Sequence, residues 1–291
     1  MKRLGLLAIV IVAACGSFGA QAHTVSLAYK AGDTYKYGLH IVMKYTITAA
    51  GLSIPFNLDM SAKESIAVKS VDASGTADLG VAVSNMSLKT SINGTTNTTT
   101  TTTAQSLDMK VAKDGRIVSI NGTAFDNTSF GGVSGVQGGL ISAILPDKAV
   151  KPGDTWSKTF DQPNPFGVGS SQVTSNNTYL RDENNAAVIE SKINGTLNMS
   201  IDPSALAGQS GTPVVPSTGA AGGVQSISIA GTSTSDVTSW IDLSAKRLVK
   251  TRSTGSVNAT LTVNMAAGST TPGLTGPVTF KGTQTLDLTP A

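Results

Sequence analysis

"KAGDTYKYGLHIVMKYTI", Lys30 to Ile47, decides how the chain is read. From Tyr35 a large apolar residue stands at every second position: Tyr35, Tyr37, Leu39, Ile41, Met43, Tyr45 and Ile47. Between them come Lys36, Gly38, His40, Val42, Lys44 and Thr46. Successive side chains of a strand point to opposite faces, so this period of two predicts a long strand with one apolar and one wet face. The stretch opens on Gly32-Asp33-Thr34. Glycine accepts positive φ there, and Asp and Thr can bond nearby backbone before the strand departs. Nearly the same opening returns as "KPGDTWSK", Lys151 to Lys158.

Working outward, the alternation resumes at Ile54, Phe56, Leu58 and Met60. "DASG", Asp72 to Gly75, reads as a hairpin turn, with Ala77, Leu79, Val81 and Val83 on one face beyond it. "MKVAKDGRIVSING" reads as a further hairpin turning at Asp114-Gly115. The second opening is followed by the same plan. "SNNTYLRDENNAAVIESKINGTLNMSI" repeats strand, polar turn, strand, and Lys246-Arg247-Leu248-Val249 matches Gly115-Arg116-Ile117-Val118. Val257, Leu261 and Val263 belong to another clean alternation.

The expected fold is mainly β: long antiparallel strands in two related halves, residues 23–146 and 147–291, forming one compact unit. Curved sheets stacked as a sandwich are the favoured arrangement, with a half-barrel as the alternative. One short helix is expected at Gly139–Leu145, where the apolar spacing turns helical before Pro146 stops it. The Thr-rich stretch Asn93–Ser106 lacks a face to bury and reads as an exposed loop or ragged strand ends. Pro203–Gly223, rich in Pro, Gly and Ser, reads as a loop.

Composition fits this reading. Of 291 residues 40% are hydrophobic and 13% charged, against about 25% charged in ordinary globular domains. Thr and Val suit pleated sheet, because β-branched side chains lose rotamer freedom in helices. The net charge of +3 is spread without a Lys/Arg cluster, which argues against a nucleic-acid partner. Residues 1–22 read as a signal peptide, a basic "MKR" followed by "LGLLAIVIVA". Cleavage after "AQA" (Ala20–Ala22) would start the mature chain at His23; alternatively "VAAC" makes Cys15, the single cysteine, a lipidation site. Both readings export the chain, to the periplasm or beyond the cell, and the second anchors it to a membrane by lipid. No transmembrane segment is expected in the mature chain. Two Trp, five Tyr and seven Phe are too few for the aromatic girdles of an outer-membrane barrel.

Lys30–Tyr35, Lys151–Trp156 and Asp114–Val118 together resemble the turns of uncharacterised exported bacterial proteins with a duplicated K-x-G-D-x-aromatic opening and a D-G-R-I-V hairpin. At the level of fold the pattern is distantly similar to the half-barrel carriers of lipids and lipoproteins in bacterial envelopes. That similarity implies a curved antiparallel sheet with an apolar concave face and a lipid-like ligand or an envelope component as partner.

Chemistry that would mark an enzyme is missing from the sequence. Only two His exist, the one Cys lies in the signal segment, and there is no G-x-S-x-G elbow, phosphate loop or calcium loop. The expectation is a non-enzymatic envelope protein without a cofactor, with Leu39, Ile41, Met43 and Tyr45 as candidate ligand contacts. A structural or adhesive surface module is the alternative. Copper at an N-terminal His23, with His40 as second ligand, is a minor one, because amine and imidazole nitrogens suit Cu(II). Tyr35 and Trp156, at strand entrances, read as core anchors.

Overall fold

The computed structural model describes residues 22–121, 142–163, 167–201, 224–265 and 276–291. They build twelve strands: β1 Thr34–Ala49, β2 Leu52–Val71, β3 Ala77–Ile92, β4 Thr95–Thr101, β5 Gln105–Val111, β6 Ile117–Asn121, β7 Thr155–Pro163, β8 Gly167–Glu183, β9 Ala186–Ile201, β10 Val224–Asp242, β11 Leu248–Met265 and β12 Val278–Pro290. All belong to one antiparallel sheet in the order β6-β5-β3-β2-β1-β12-β11-β10-β9-β8-β7, with β4 paired to β3. The halves are therefore joined by a ladder: β1 pairs with β12 from Tyr37↔Pro290 to Thr48↔Thr279. The expected sandwich does not form. With β1 and β12 zipped along most of their length there are no separate sheets to stack, and the apolar face is enclosed by curling. The two ends of the strand order, β6 and β7, approach each other without a ladder between them among the described residues, so the curl stops short of a closed barrel.

Curling that far needs strands to approach more closely than ordinary side chains permit, and glycines mark the places. A Cβ on Gly282 of β12 would lie 2.2 Å from the carbonyl oxygen of Lys44 and 2.7 Å from Cα of Tyr45. On Gly231 of β10 it would lie 2.3 Å from the carbonyl oxygen of Asn258. A bulge on β3 does related work. Asn85 takes φ of 50°, and the inward set shifts from Ala77, Leu79, Val81 and Val83 to Met86 and Leu88.

The duplicated openings fold alike. Gly32 N–H donates to Val68 O and Val68 N–H to Asp33 O, both at 2.9 Å. In the second half Gly153 N–H donates to Tyr179 O at 2.7 Å and Tyr179 N–H to Asp154 O at 3.0 Å. Gly32 and Gly153 have φ of 91° and 94°. Each turn thus clips onto the strand that follows its own. The matched Gly115 and Lys246 both have positive φ, at 91° and 49°.

These turns gather at one end of the curl, the base; the opposite end, where β1 turns into β2 at Ala50-Gly51, is the rim. Two straps outside the named strands fill the base. His23–Tyr29 exchanges backbone bonds with Val150 and reaches Lys113 O through Leu27 N–H (2.9 Å) and Lys246 O through Ala28 N–H (2.8 Å). The second strap, Ser142–Val150, threads the interior, its first four residues fully buried. That corrects the expected helix at Gly139–Leu145. Residues 142–145 are neither helix nor strand, because Ser239, Ser191 and the Asp114 carbonyl, not a helical ladder, take their N–H groups; residues 139–141 lie outside the described part. No helix occurs among the described residues. The Thr-rich stretch is also corrected. Thr95–Thr101 is β4, exposed on both faces and held by its ladder to β3, which requires no apolar face. Pro203–Gly223 lies outside the described residues. The core residues come from the inward faces and the straps together, among them Met60, Leu79, Ile189 and Leu145, all at 0% exposure. Tyr35 and Trp156 pack against them as anchors.

Candidate functional site

Period two decides what faces the interior of the curl. In β1 the odd positions do, and the cross-strand register carries the same face through the sheet: Tyr37 lies opposite Glu64, and Glu64 opposite Val83, which faces Gln105. Leu39, Ile41 and Met43 are buried at 9%, 4% and 2% exposure, whereas Tyr45 is partly exposed. The four sequence candidates thus share one face but split by depth.

Toward the base the interior is filled and polar. Ser191 Oγ accepts from Ile144 N–H (2.9 Å) and Ser239 Oγ from Ala143 N–H (2.8 Å). Asn177 Oδ1 accepts from Ser175 and Ser191 hydroxyls, each at 2.5 Å, and Ser239 shares a bond of 2.7 Å with Thr251. The Trp156 indole donates to Ile144 O at 3.1 Å. All five side chains on β8 to β11 are buried, and their role is to replace a ladder for the second strap. Sequence reading missed them, because Ser and Asn in a strand ordinarily signal the wet face. Their odd-numbered register with Ile189 and Ile193 was the available clue.

A second cluster holds the base shut where β6 and β7 fail to pair. Asp114, at 5% exposure, binds Arg116 Nε at 2.9 Å and Lys158 Nζ at 3.0 Å, while Lys158 also reaches Asp147 at 2.9 Å. Burial alone would raise the Asp114 pKa, but the two cations beside it outweigh that and hold the carboxyl below the usual carboxylate range. Arg116 also lies over the Phe160 ring, 5.2 Å from its centre. Gly115 is required here. A Cβ would sit 2.2 Å from Ser142 Oγ, and φ is 91°.

Toward the rim the interior is apolar and neither strap reaches it. Ile227, Ile229, Val257 and Ala259 form a separate buried cluster against Tyr45, Leu197 and Leu261, which stay partly exposed. Ile54, Phe56 and Phe280 are also inward and partly exposed. Tyr45 closes over Gly282 and donates to Gln284 Oε1 at 3.1 Å; burial pushes its pKa up to about 12, so it is a neutral donor at any working pH.

Glu64 is the exception on the inward face of β2. Its neighbours on that face are Ala62 and Ile66, and no hydrogen bond or ion pair reaches its carboxylate among the described residues. Loss of hydration raises its pKa to about 7.

The two histidines are not brought together. His40, on the outer face, pairs with Asp59 at 3.0 Å, and His23 at the base lies 3.7 Å from Asp182. No group of three metal-ligating side chains occurs among the described residues. Cys15 lies outside them.

No protein family matches the chain, and no curated protein does. Among solved structures it is similar to a chain described under "Lipid-protein interactions in lipovitellin", at 10% sequence identity and a TM-score of 0.45. The match covers 90% of this chain and 26% of that one, so this chain spans about a quarter of its length.

Proposed function

We propose that this protein is an exported, non-enzymatic binding protein that holds a hydrophobic, lipid-like ligand inside the rim of its curled sheet. The observation that supports the reading is the uneven cover of a single face. At the base the inward side chains are sealed by two straps; at the rim Tyr45, Ile54, Phe56, Leu261 and Phe280 remain partly exposed beside a buried apolar cluster. Apolar surface gathered in a concave site and left in contact with water favours an apolar occupant. Leu39, Ile41 and Met43 lie below the rim cluster on the same inward face, and Tyr45 is the sequence candidate that stands among the partly exposed side chains of the rim.

Mass spectrometry of natively purified protein should find retained lipid. Leu261→Asp should remove it while leaving circular dichroism and thermal unfolding close to wild type, because the side chain is only partly buried. Protein purified without any lipid, and unable to take one up from vesicles, would end the carrier reading. Export rests on the N-terminal segment. Edman sequencing of protein from the host envelope should begin at His23; palmitate labelling that depends on Cys15 would select the lipid-anchored form instead, and a chain retaining Met1 would refute export.

A second reading, a structural or adhesive module, draws on the outer face. Thr159, Thr174, Asn194, Thr234, Ser256 and Thr283 form one cross-strand row from β7 to β12, with hydroxyl bonds of 3.1 Å (Thr159–Thr174) and 2.8 Å (Thr234–Ser256). A module of that kind should carry no lipid, so the same mass measurement separates the two.

A further inference from the structure

We propose that the inward row Tyr37–Glu64–Val83–Gln105 is a receptor for a cationic, hydrogen-bond-donating head, so that the favoured ligand is an amphiphile ending in a primary ammonium group. This rests on the carrier reading and makes it more specific.

Two observations on different strands converge on the row. The register places Glu64 of β2 and Gln105 of β5 on either side of Val83, all turned inward. Glu64 has no partner among the described residues, and Gln105 Oε1 is a buried oxygen without a hydrogen bond. Both are acceptors. A buried acceptor left unpaired keeps its full desolvation cost, and native interiors seldom tolerate one; here that acceptor is Gln105 Oε1, and the partly exposed Glu64 carboxylate shares its row. What is missing is a donor, and the surroundings do not supply it. Tyr37 spends its hydroxyl on Leu248 O at 2.7 Å, Val83 has none, and Ala62 and Ile66 flank Glu64 along its own strand. Tyr29, from the first strap, and Tyr37 are the titratable groups that feel the carboxylate; Arg247 acts on Tyr35 and Tyr37 and does not register at Glu64. Among the described residues no ion pair reaches the carboxylate. Glu64 remains partly exposed although it faces inward, and its row lies one step deeper than Leu39, so the ligand that reaches it is one whose head passes Leu39, Ile41 and Met43 while its chain stays among the apolar side chains of the rim. An ammonium offers three N–H donors and one positive charge, enough for a charge-assisted bond to Glu64 and a second bond to Gln105. An anionic head would meet two acceptors and a like charge.

The test uses the whole protein with three probes of equal chain length, dodecylamine, dodecanol and dodecanoate, each titrated below its micelle concentration and followed by calorimetry. At about pH 8.5 Glu64 is ionised and the amine protonated, and dodecylamine should bind about tenfold or more tighter than dodecanol, with dodecanoate weakest. At about pH 5 the acid is neutral and the amine preference should largely disappear. Glu64→Gln, nearly isosteric, should abolish the preference at both pH values; Gln105→Leu should weaken dodecylamine alone by a few-fold. The pH arm needs no variant, so a Glu64→Gln protein that fails to fold does not rescue the proposal. Dodecanol binding without any amine preference in the wild type, or an intact preference in Glu64→Gln, overturns the ammonium assignment and leaves the carrier reading standing. Failure of all three probes to bind overturns both.

Discussion

Gly282→Ala should cost at least about 3 kcal/mol of stability, the upper part of the range for overpacking substitutions. For a chain of this length that is a fall in Tm of roughly 6–12 °C. The added Cβ falls 2.2 Å from Lys44 O and 2.7 Å from Tyr45 Cα, which are backbone atoms of the neighbouring strand. A side chain can turn away, but a paired strand can retreat only by breaking the β1–β12 ladder that joins the two halves. The Tyr45 ring is also in the way, its Cδ1 at 2.2 Å, so it must be separated from the backbone effect. Thermal unfolding of the double variant Gly282→Ala/Tyr45→Ala does so: most of the Gly282 penalty should persist on the Tyr45→Ala background. A single variant within about 0.5 kcal/mol of wild type, the range of ordinary surface changes, would show that the curl does not depend on this close approach.

Asp114→Ala should destabilise the protein by about 3 kcal/mol near neutral pH, because removing one member of a buried ion cluster leaves its cations short of a partner. Lys158 keeps Asp147 and Arg116 keeps Phe160, which sets the estimate at the low end of the range for buried pairs. The acid limb gives the sign. The folded-state pKa of Asp114 is lowered, so its contribution is fully present above the ordinary carboxylate pKa of about 4 and is lost as pH falls below that through the folded value. Urea unfolding at pH 7 and pH 3 should therefore show the gap between variant and wild type narrowing on acidification. A gap that is constant with pH would mean that Asp114 acts through the packing of its side chain, not through its charge.

Local order proved readable wherever pattern and backbone chemistry agree. Tyr35 to Ile47 alternates in sequence and faces in and out as β1. The Gly32 and Gly153 turns, alike in sequence, make the same pair of backbone bonds. The failures have one cause. Ser142–Leu145 has helical spacing yet forms no helix, since Ser191, Ser239 and the carbonyl of Asp114, far away in sequence, take its N–H groups. Thr95–Thr101 has no apolar face yet is a strand, since β3 supplies its ladder. Of the candidate site, the apolar face holding Leu39, Ile41, Met43 and Tyr45 was legible. Glu64 and Gln105 were not, because a lone Glu or Gln in a strand carries no sign of whether its neighbours two strands away leave it a partner.

Most of the strands, their faces, the duplicated turns and the mainly-β class depend on residues within a few positions of one another, and could be read from the chain alone. That the halves share one sheet through β1 and β12, that straps seal one end of it, and that Glu64 and Gln105 share an inward row without a donor among the described residues could be read only from the folded chain. Those outcomes depend on contacts between residues more than two hundred positions apart, such as the Tyr37 hydroxyl on Leu248 O, 211 positions away. Periodicity records which way a side chain points, but the surface it meets there is chosen by the sum of pairing and packing across the whole chain.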